Sequence, residues 1–167
     1  MKKIILIGSG GAGKSTLARE LGKKLQLKVF HLDKLMWKPN WELVTREEQI
    51  QIQNELVKNE AWIIDGNYGG TMDIRFQAAD TILFLDYPRT LCLYRAIKRT
   101  FQYKNKTRPD MREGCHERFD PTFLKWIWRF PKDKRPDLIT KLDNLASNKH
   151  IVIIKSPQKA REFIQSI

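Results

Sequence analysis

Residues 8–16 read GSGGAGKST and follow the apolar run KKIILI at residues 2–7. The spacing is G-x4-G-K-[ST], the pattern of a phosphate-binding loop. In such a loop the glycines let successive backbone N–H groups surround a phosphate, and the N-terminus of the following helix adds its positive dipole end. The apolar run predicts a buried strand before the loop, and leucines spaced by four predict a helix after it. The stretch therefore predicts a site for a nucleoside triphosphate.

The motif gives its residues separate tasks. Lys14 is expected to reach the β- and γ-phosphates, and Ser15 is expected to bind Mg²⁺. ATP and Mg²⁺ are therefore the expected cofactors, and what receives the phosphate is the open question. The predicted nucleotide-binding residues of the loop and its first helical turn are Gly8, Gly10, Gly11, Ala12, Gly13, Lys14, Ser15 and Thr16.

The composition narrows the class of protein. A length of 167 residues predicts one domain, residues 1–167, and 31 Lys and Arg against 19 Asp and Glu give a net charge of +12. Such a charge favours polyanionic ligands: nucleotides, nucleic acid or an acidic membrane surface. No apolar run approaches the ~20 residues of a membrane span, and the first residues lack the apolar segment of a signal peptide. Two cysteines and three histidines without chelating spacing predict reduced thiols in a cytoplasmic protein.

Strand and helix patterns alternate along the chain. Helices are expected from residue 15, at 45–59 after a capping box, from 88, at 122–130, at 136–145 and from 157. The helix after Pro88 is expected to carry Leu91, Tyr94, Ile97 and Phe101 on one side. Alternation of this kind predicts an α/β fold, a parallel sheet with helices on both faces. The five predicted strands are 2–7, 27–32, 61–65, 80–86 and 150–154.

The excess positive charge is concentrated in one segment. Residues 87–135 hold 14 Lys and Arg against 5 Asp and Glu, a net of +9, and the pattern becomes irregular after residue 103. A basic lid over about residues 103–131 would bring arginines to a bound triphosphate and exclude water. The candidates are Arg108, Arg112, Arg118 and Arg129. Aromatic residues interleave with these charges, which fits either stacking on single-stranded nucleic acid or packing between a lid helix and the core.

Several stretches together resemble one family. GSGGAGKSTLARELGKKL is similar to the first element of small nucleoside and metabolite kinases such as adenylate kinase. Together with HLD (31–33), WIIDGNY (62–68), ADTILFLDYPR (79–89) and IVIIKSP (151–157), it resembles the DNA topology modulation (FlaR-related) family of P-loop proteins. The resemblance spans nearly the whole chain. It implies a three-layer α/β/α P-loop NTPase fold, with five parallel strands in the order 2-3-1-4-5 and ligands beyond their carboxyl ends.

The resemblance also implies roles for two acids. In that strand order Asp65 faces the phosphate site and acts on Mg²⁺, directly or through water. Asp33 matches an acid near the acceptor hydroxyl and is either a general base, a water-mediated metal partner or a helix N-cap. Asp86 is expected to end its strand structurally. WIIDGNY lacks the Pro-Arg that holds the acceptor nucleotide in adenylate kinase, so a nucleoside monophosphate acceptor is not implied.

Arginines and the last loop complete the implied site. Arg95 and Arg99 match the R-x3-R pair that neutralises the transferring phosphoryl group in adenylate-kinase-like enzymes. Arg129 matches the third phosphate-binding arginine, and Ser156 would lie in the loop near the adenine ring. Trp37 and Trp41 either stack on the acceptor or close a hydrophobic corner.

Three functions remain open from the sequence. The favoured one is an ATP-dependent kinase of a small acceptor molecule. The others are a nucleotide-dependent DNA-binding protein that modulates DNA topology, and an ATP-binding regulator or slow ATPase that passes phosphate only to water.

Overall fold

The computed structural model describes all residues, Met1–Ile167. Short 3₁₀ turns cover Pro39–Trp41 and Gly69–Thr71. The strands are β1 (Lys3–Gly8), β2 (Val29–His31), β3 (Trp37–Lys38), β4 (Glu42–Leu43), β5 (Trp62–Asp65), β6 (Thr81–Leu85) and β7 (His150–Ile154). The helices are α1 (Lys14–Leu25), α2 (Leu32–Met36), α3 (Arg46–Val57), α4 (Met72–Ala78), α5 (Arg89–Gln102), α6 (Pro121–Asp133), α7 (Arg135–Leu145) and α8 (Pro157–Ser166).

Five strands form one parallel sheet in the order β2-β5-β1-β6-β7. Counted among themselves, these strands follow the expected order 2-3-1-4-5. The chain numbering differs because the sequence patterns did not predict β3 and β4, a two-stranded antiparallel hairpin between the second and third sheet strands. The register places Asp65 opposite Leu6, so the third sheet strand ends beside the start of the phosphate-binding loop.

The central strand divides the core into two layers. Ile4 and Leu6 pack on one face of the sheet with residues of α1, α5 and α8, and Ile5 and Ile7 pack on the other with α4 and α7. Because side chains alternate along a strand, a continuous apolar run is what a strand covered on both faces requires. The three-layer α/β/α prediction is confirmed. No helix is both long and apolar enough to cross a membrane.

The buried face of α5 differs from the expected one. Tyr94 and Phe101 are 62% and 74% exposed, whereas the small residues Cys92 and Ala96 are buried. The reason is the close approach of α5 to the phosphate-binding loop, where a side chain on Gly11 would overlap the carbonyl oxygen of Cys92. Only small side chains allow two backbones to come this close, so the largest apolar residues lie outside.

The irregular part of the basic segment ends just before the helix expected at 122–130. It ends at Asp120, whose side chain caps α6 by accepting hydrogen bonds from the N–H groups of Thr122 and Phe123. The residues that follow are helical, and Ile127 and Phe130 are buried. We therefore use "lid segment" for residues 103–120 only.

Candidate functional site

A cleft of about 840 Å³ opens where β1, β2 and β5 end. Residues 10–16 of the phosphate-binding loop and the start of α1 all line it, and residues of the lid segment line it as well. Ligands of open parallel sheets bind in this position, outside the carboxyl ends of the strands. The cleft therefore lies where the sequence predicted the nucleotide site.

Lys14 is held at the mouth of the loop. Its ammonium donates hydrogen bonds to the carbonyl oxygens of Gly8 and Ser9, each at 2.9 Å. Burial lowers the pKa of Lys14, while the nearby carboxylates of Asp33 and Asp65 act in the opposite direction and favour the charged form. An ammonium has three donors, so one remains for a phosphate oxygen.

Ser15 and Asp65 meet at the carboxyl end of β5. The Ser15 hydroxyl donates to Asp65 Oδ2 at 2.6 Å, and His31 Nδ1 lies 2.6 Å from the other carboxylate oxygen. A hydroxyl and a carboxylate are the hard oxygen donors that Mg²⁺ takes from a P-loop protein, with phosphates and waters supplying the remainder. These two donors fit Mg²⁺, and the His31 contact would orient the carboxylate.

Asp33 faces the same cleft from the first turn of α2. Tyr68 donates its hydroxyl to Asp33 Oδ1 at 2.8 Å, and Tyr68 takes a backbone φ of +40°, a conformation costly for a tyrosine. Burial raises the pKa of Asp33, and the Tyr68 hydrogen bond partly offsets this. The N-cap role considered for Asp33 is wrong, since His31 occupies the cap position of α2.

The loop after β5 is tied to the phosphate-binding loop. The Asn67 side-chain amide forms two hydrogen bonds with the backbone of Gly8. It accepts from the Gly8 N–H at 3.1 Å and donates to the Gly8 carbonyl oxygen at 2.7 Å. Arg75, fully buried, donates to the carbonyl oxygens of Gly66 and Asn67 at 2.7 and 2.5 Å. Burial lowers the pKa of Arg75 to about 10. These bonds fix Asp65 relative to the loop.

Arg95 and Arg99 both line the cleft from α5. A terminal nitrogen of Arg95 lies 3.5 Å from where a Cβ on Gly13 would be, so its guanidinium lies against the loop. The positive charge of Arg99 contributes to lowering the pKa of Lys14. Burial, together with the charge of Arg108, lowers the pKa of Arg99 itself. Two residues four apart on a helix project from one face, as expected.

The lid segment contributes ionic residues of both signs. Arg108 forms ion pairs with Asp110 at 3.1 Å and with Glu117 at 2.8 Å. Burial alone would raise the pKa of Asp110, but the Arg108 charge holds that pKa below its usual range. Arg118 lines the cleft as well, whereas Arg112 is exposed and does not.

The lid segment also docks on the β3–β4 hairpin. Trp41 donates its indole N–H to the His116 carbonyl oxygen at 2.9 Å, and the Arg118 guanidinium lies 5.3 Å from the Trp41 ring centre. The Asn40 N–H donates to the Gly114 carbonyl oxygen at 3.2 Å. Trp37 packs edge-on against Trp41, and both line the cleft. The two tryptophans therefore close a corner and face the ligand space together.

Three predicted nucleotide contacts lie outside the cleft. Arg129 is on the exposed side of α6, 2.7 Å from Asp133, because its helix turns that face to solvent. Ser156 is instead the N-cap of α8 and accepts from the Lys159 N–H at 3.2 Å. Gly8 also does not line the cleft, since its N–H group is already hydrogen-bonded to Asn67 in the loop after β5.

The structural role expected for Asp86 is supported, whereas three residues at the site had no expected role. Asp86 forms a two-pronged pair with Arg135, both contacts at 2.8 Å, which agrees with its structural role. His31, Tyr68 and Arg161 stand at the site without an expected role. The first two lie inside the HLD and WIIDGNY stretches, so proximity to the expected acids was a usable signal. Arg161 had none.

The interleaved aromatic residues mostly serve packing. Phe123 stacks on Trp126 at 5.9 Å, and Trp126 meets Phe130 edge-on at 5.3 Å. Trp128 and Phe119 remain exposed, and Arg89 lies 3.9 Å over the Trp128 ring. Three of the five aromatic residues thus hold α6 together or against its surroundings.

Solved structures of kinases share this fold. A sugar kinase from Janibacter sp. HTCC2649 superposes with a TM-score of 0.57 at 14% identity, covering 99% of this chain and 91% of that one. Shikimate kinase from Acinetobacter baumannii, in complex with shikimate, gives 0.56 at 20% identity over 99% and 90%. Shikimate kinase from Bacteroides thetaiotaomicron gives 0.53 at 18% identity over 98% and 94%. At these identities the likeness shows a small P-loop kinase-like fold.

No protein-family model matches the sequence. The uncharacterized protein YqaC of Bacillus subtilis (strain 168) is 30% identical over 131 residues, which cover 75% of this chain and 70% of YqaC. The chain therefore belongs to the same protein family as YqaC of Bacillus subtilis.

Proposed function

We propose that this protein is a Mg²⁺-dependent phosphotransferase that moves the γ-phosphate of ATP to a small acceptor molecule. One observation carries the proposal: a single cleft joins the phosphate-binding loop, the Ser15–Asp65 pair, two helix-borne arginines and the half-buried carboxylate of Asp33. A protein that only binds nucleotide needs the loop, whereas phosphate transfer also needs a second site with a base. The kinase-like fold agrees with this assignment.

Each residue has a task in the proposed transfer. Backbone N–H groups of residues 10–15 and the Lys14 ammonium hold the phosphates, and Arg95 and Arg99 neutralise charge on the transferring group. Bound Mg²⁺, held by Ser15 and Asp65, would neutralise phosphate charge when present. Positioning and charge neutralisation supply most of the catalysis in reactions of this type.

Asp33 is proposed as the general base. The acceptor hydroxyl gives its proton to the Asp33 carboxylate while its oxygen bonds to the γ-phosphorus. The bond from that phosphorus to the β–γ bridging oxygen breaks, and ADP leaves with the electron pair. Its raised pKa makes Asp33 a stronger base than an exposed carboxylate.

Transfer can be measured with γ-labelled ATP and Mg²⁺ against a panel of nucleosides, nucleoside monophosphates and small hydroxyl compounds. The proposal expects label on one acceptor class, lost by about a hundredfold or more in Lys14→Ala because the phosphate-facing ammonium is gone. Lys23→Ala is the matched control, since Lys23 lies exposed on the same helix. Equal transfer by Lys14→Ala and the wild type would contradict the proposed role of the loop.

DNA binding is the alternative outcome of this experiment. A protein that transfers no label, and whose binding to DNA falls steeply with salt in both the wild type and Lys14→Ala, would be a DNA-binding protein instead.

A further inference from the structure

We propose that Glu117 is a positioning residue that sets the Arg99 guanidinium for contact with the γ-phosphate, an inference that rests on the proposed function. Glu117 lies in the lid segment, where the sequence indicated arginines but no acidic residue for the site. Its carboxylate is buried between two arginines that come from different elements of the chain.

The carboxylate divides its two oxygens between the arginines. Oε1 accepts from Arg99 Nε at 3.3 Å, and Oε2 lies 2.8 Å from Arg108 Nε. Its side chain is only 6% exposed, so these contacts are shielded from water and from salt. The Glu117 N–H donates to the Lys106 carbonyl oxygen at 2.9 Å, which fixes the backbone that carries the carboxylate.

The two arginines are engaged in different ways. Arg108 directs one terminal nitrogen to Asp110 at 3.1 Å and the other to the Met111 sulfur at 3.7 Å, both within the lid segment. Its Nε forms an ion pair with Glu117 but no hydrogen bond. Arg99 gives Glu117 only its Nε, and both terminal nitrogens remain without a hydrogen bond beside the cleft. A guanidinium held at Nε presents its two terminal nitrogens as a fork, the geometry that suits phosphate.

A negative charge at this point is electrostatically favourable. Arg99 and Arg108 repel one another, as the effect of Arg108 on the Arg99 pKa shows. A carboxylate between them opposes that repulsion and allows Arg99 to stay near Lys14, whose pKa registers the Arg99 charge. Because Glu117 occupies the Nε side only, it need not leave when phosphate arrives. It positions the arginine rather than blocking it.

The test compares the affinities of MgATP and MgADP by calorimetry, so no acceptor is needed. The wild type should bind MgATP more tightly than MgADP. Glu117→Gln should lower the MgATP affinity by about tenfold, since one charge-assisted contact loses its orientation, and should change the MgADP affinity by less than about twofold. Glu113→Gln is the matched control, an exposed carboxylate of the same lid segment.

Each further result decides the inference. Equal losses for both nucleotides would make Glu117 a merely structural lid residue, and tighter MgATP binding would make it an obstruction; either overturns the proposal. In Arg99→Ala the selectivity should already be lost, and adding Glu117→Gln should cost nothing more. If Glu117→Gln does not fold, Glu117→Asp should show an intermediate loss of the same selectivity, and its absence would contradict the proposal. A wild type that binds neither nucleotide would instead contradict the proposed function.

Discussion

Asp33 and Tyr68 make the proposed transfer dependent on pH in a defined direction. A general base works only when deprotonated, so activity must fall as pH falls through the pKa of Asp33. Burial raises that pKa above the ordinary 3.8, and the acid limb of the rate profile should therefore lie above the limb of an exposed carboxylate.

Replacing Tyr68 should move that limb further. The Tyr68 hydroxyl stabilises the ionised carboxylate, so Tyr68→Phe should raise the Asp33 pKa and shift the acid limb of kcat to higher pH. The measurement is kcat between acid and neutral pH, with Tyr94→Phe, an exposed tyrosine on α5, as control. A limb that stays in place or moves to lower pH would exclude Asp33 as the base.

Single residues differ in how far the sequence reveals them. Lys14 and Ser15 follow from a motif whose spacing reflects local backbone geometry, and the structure brings both to the cleft. Arg99 and Arg129 both read as basic helix residues, yet only the first faces the cleft. Which side of a helix faces inward depends on packing partners that lie far away in the chain. Glu117 was unpredictable for the same reason, since its partners come from α5 and from within the lid segment.

At the scale of elements, the contact between the phosphate-binding loop and α5 is the most constrained. Gly11 has φ +75°, and a side chain there would overlap the Cys92 carbonyl oxygen. Gly11→Ala should therefore lower the free energy of unfolding by about 2–4 kcal/mol and weaken MgATP binding, because overpacking and an unfavourable φ add together.

The control for this substitution is Gly69→Ala, at a position with open space and no positive φ. It should change the free energy of unfolding by less than about 1 kcal/mol. Urea unfolding of the wild type and both variants provides the measurement. Similar unfolding midpoints for Gly11→Ala and Gly69→Ala would show that the loop does not need this close approach.

Elements were predictable where the chain repeats a simple pattern. The five sheet strands follow from short apolar runs separated by helical segments, and the capping box at Thr45 and Glu48 is present as expected. The β3–β4 hairpin was missed because each strand has two residues, too few for a periodic pattern. The prediction of which face of α5 is buried was wrong. Where the glycine-rich loop packs against this helix, small side chains are buried and large apolar ones are not.

For the whole molecule, the docking of the lid segment on the hairpin joins the two sides of the cleft. One of the contacts that dock the lid segment is the hydrogen bond from the Trp41 indole N–H to the His116 carbonyl oxygen. Trp41→Phe removes this donor while keeping an aromatic ring. Hydrogen exchange of backbone amides at 112–118 should become faster by about three- to tenfold, as expected for the loss of one hydrogen bond.

Trp128→Phe is the control, since Trp128 lies on α6 and the residue is 42% exposed. It should leave exchange at 112–118 unchanged. If Trp41→Phe also leaves these amides unchanged, the lid segment does not depend on the hairpin, and the two sides of the cleft are independent.

The overall charge indicated a class of ligand but not its place. A net charge of +12 favoured polyanions, and basic side chains of α5 and of the lid segment do line the cleft. Other basic residues, Lys132 and Arg129 among them, are exposed on α6. A charge count adds the cleft-lining and the exposed basic residues together, so only the folded structure shows where a polyanion would bind.

The destination of the γ-phosphate tests the central claim most directly. The reaction would be run with γ-labelled ATP in water enriched in heavy oxygen, with the small-molecule fraction of a cell extract as the acceptor pool. The account predicts label in an organic phosphate ester that carries no oxygen from the water, and no such ester with Lys14→Ala. Label found only as inorganic phosphate carrying an oxygen from the water would contradict it and make the protein an ATPase.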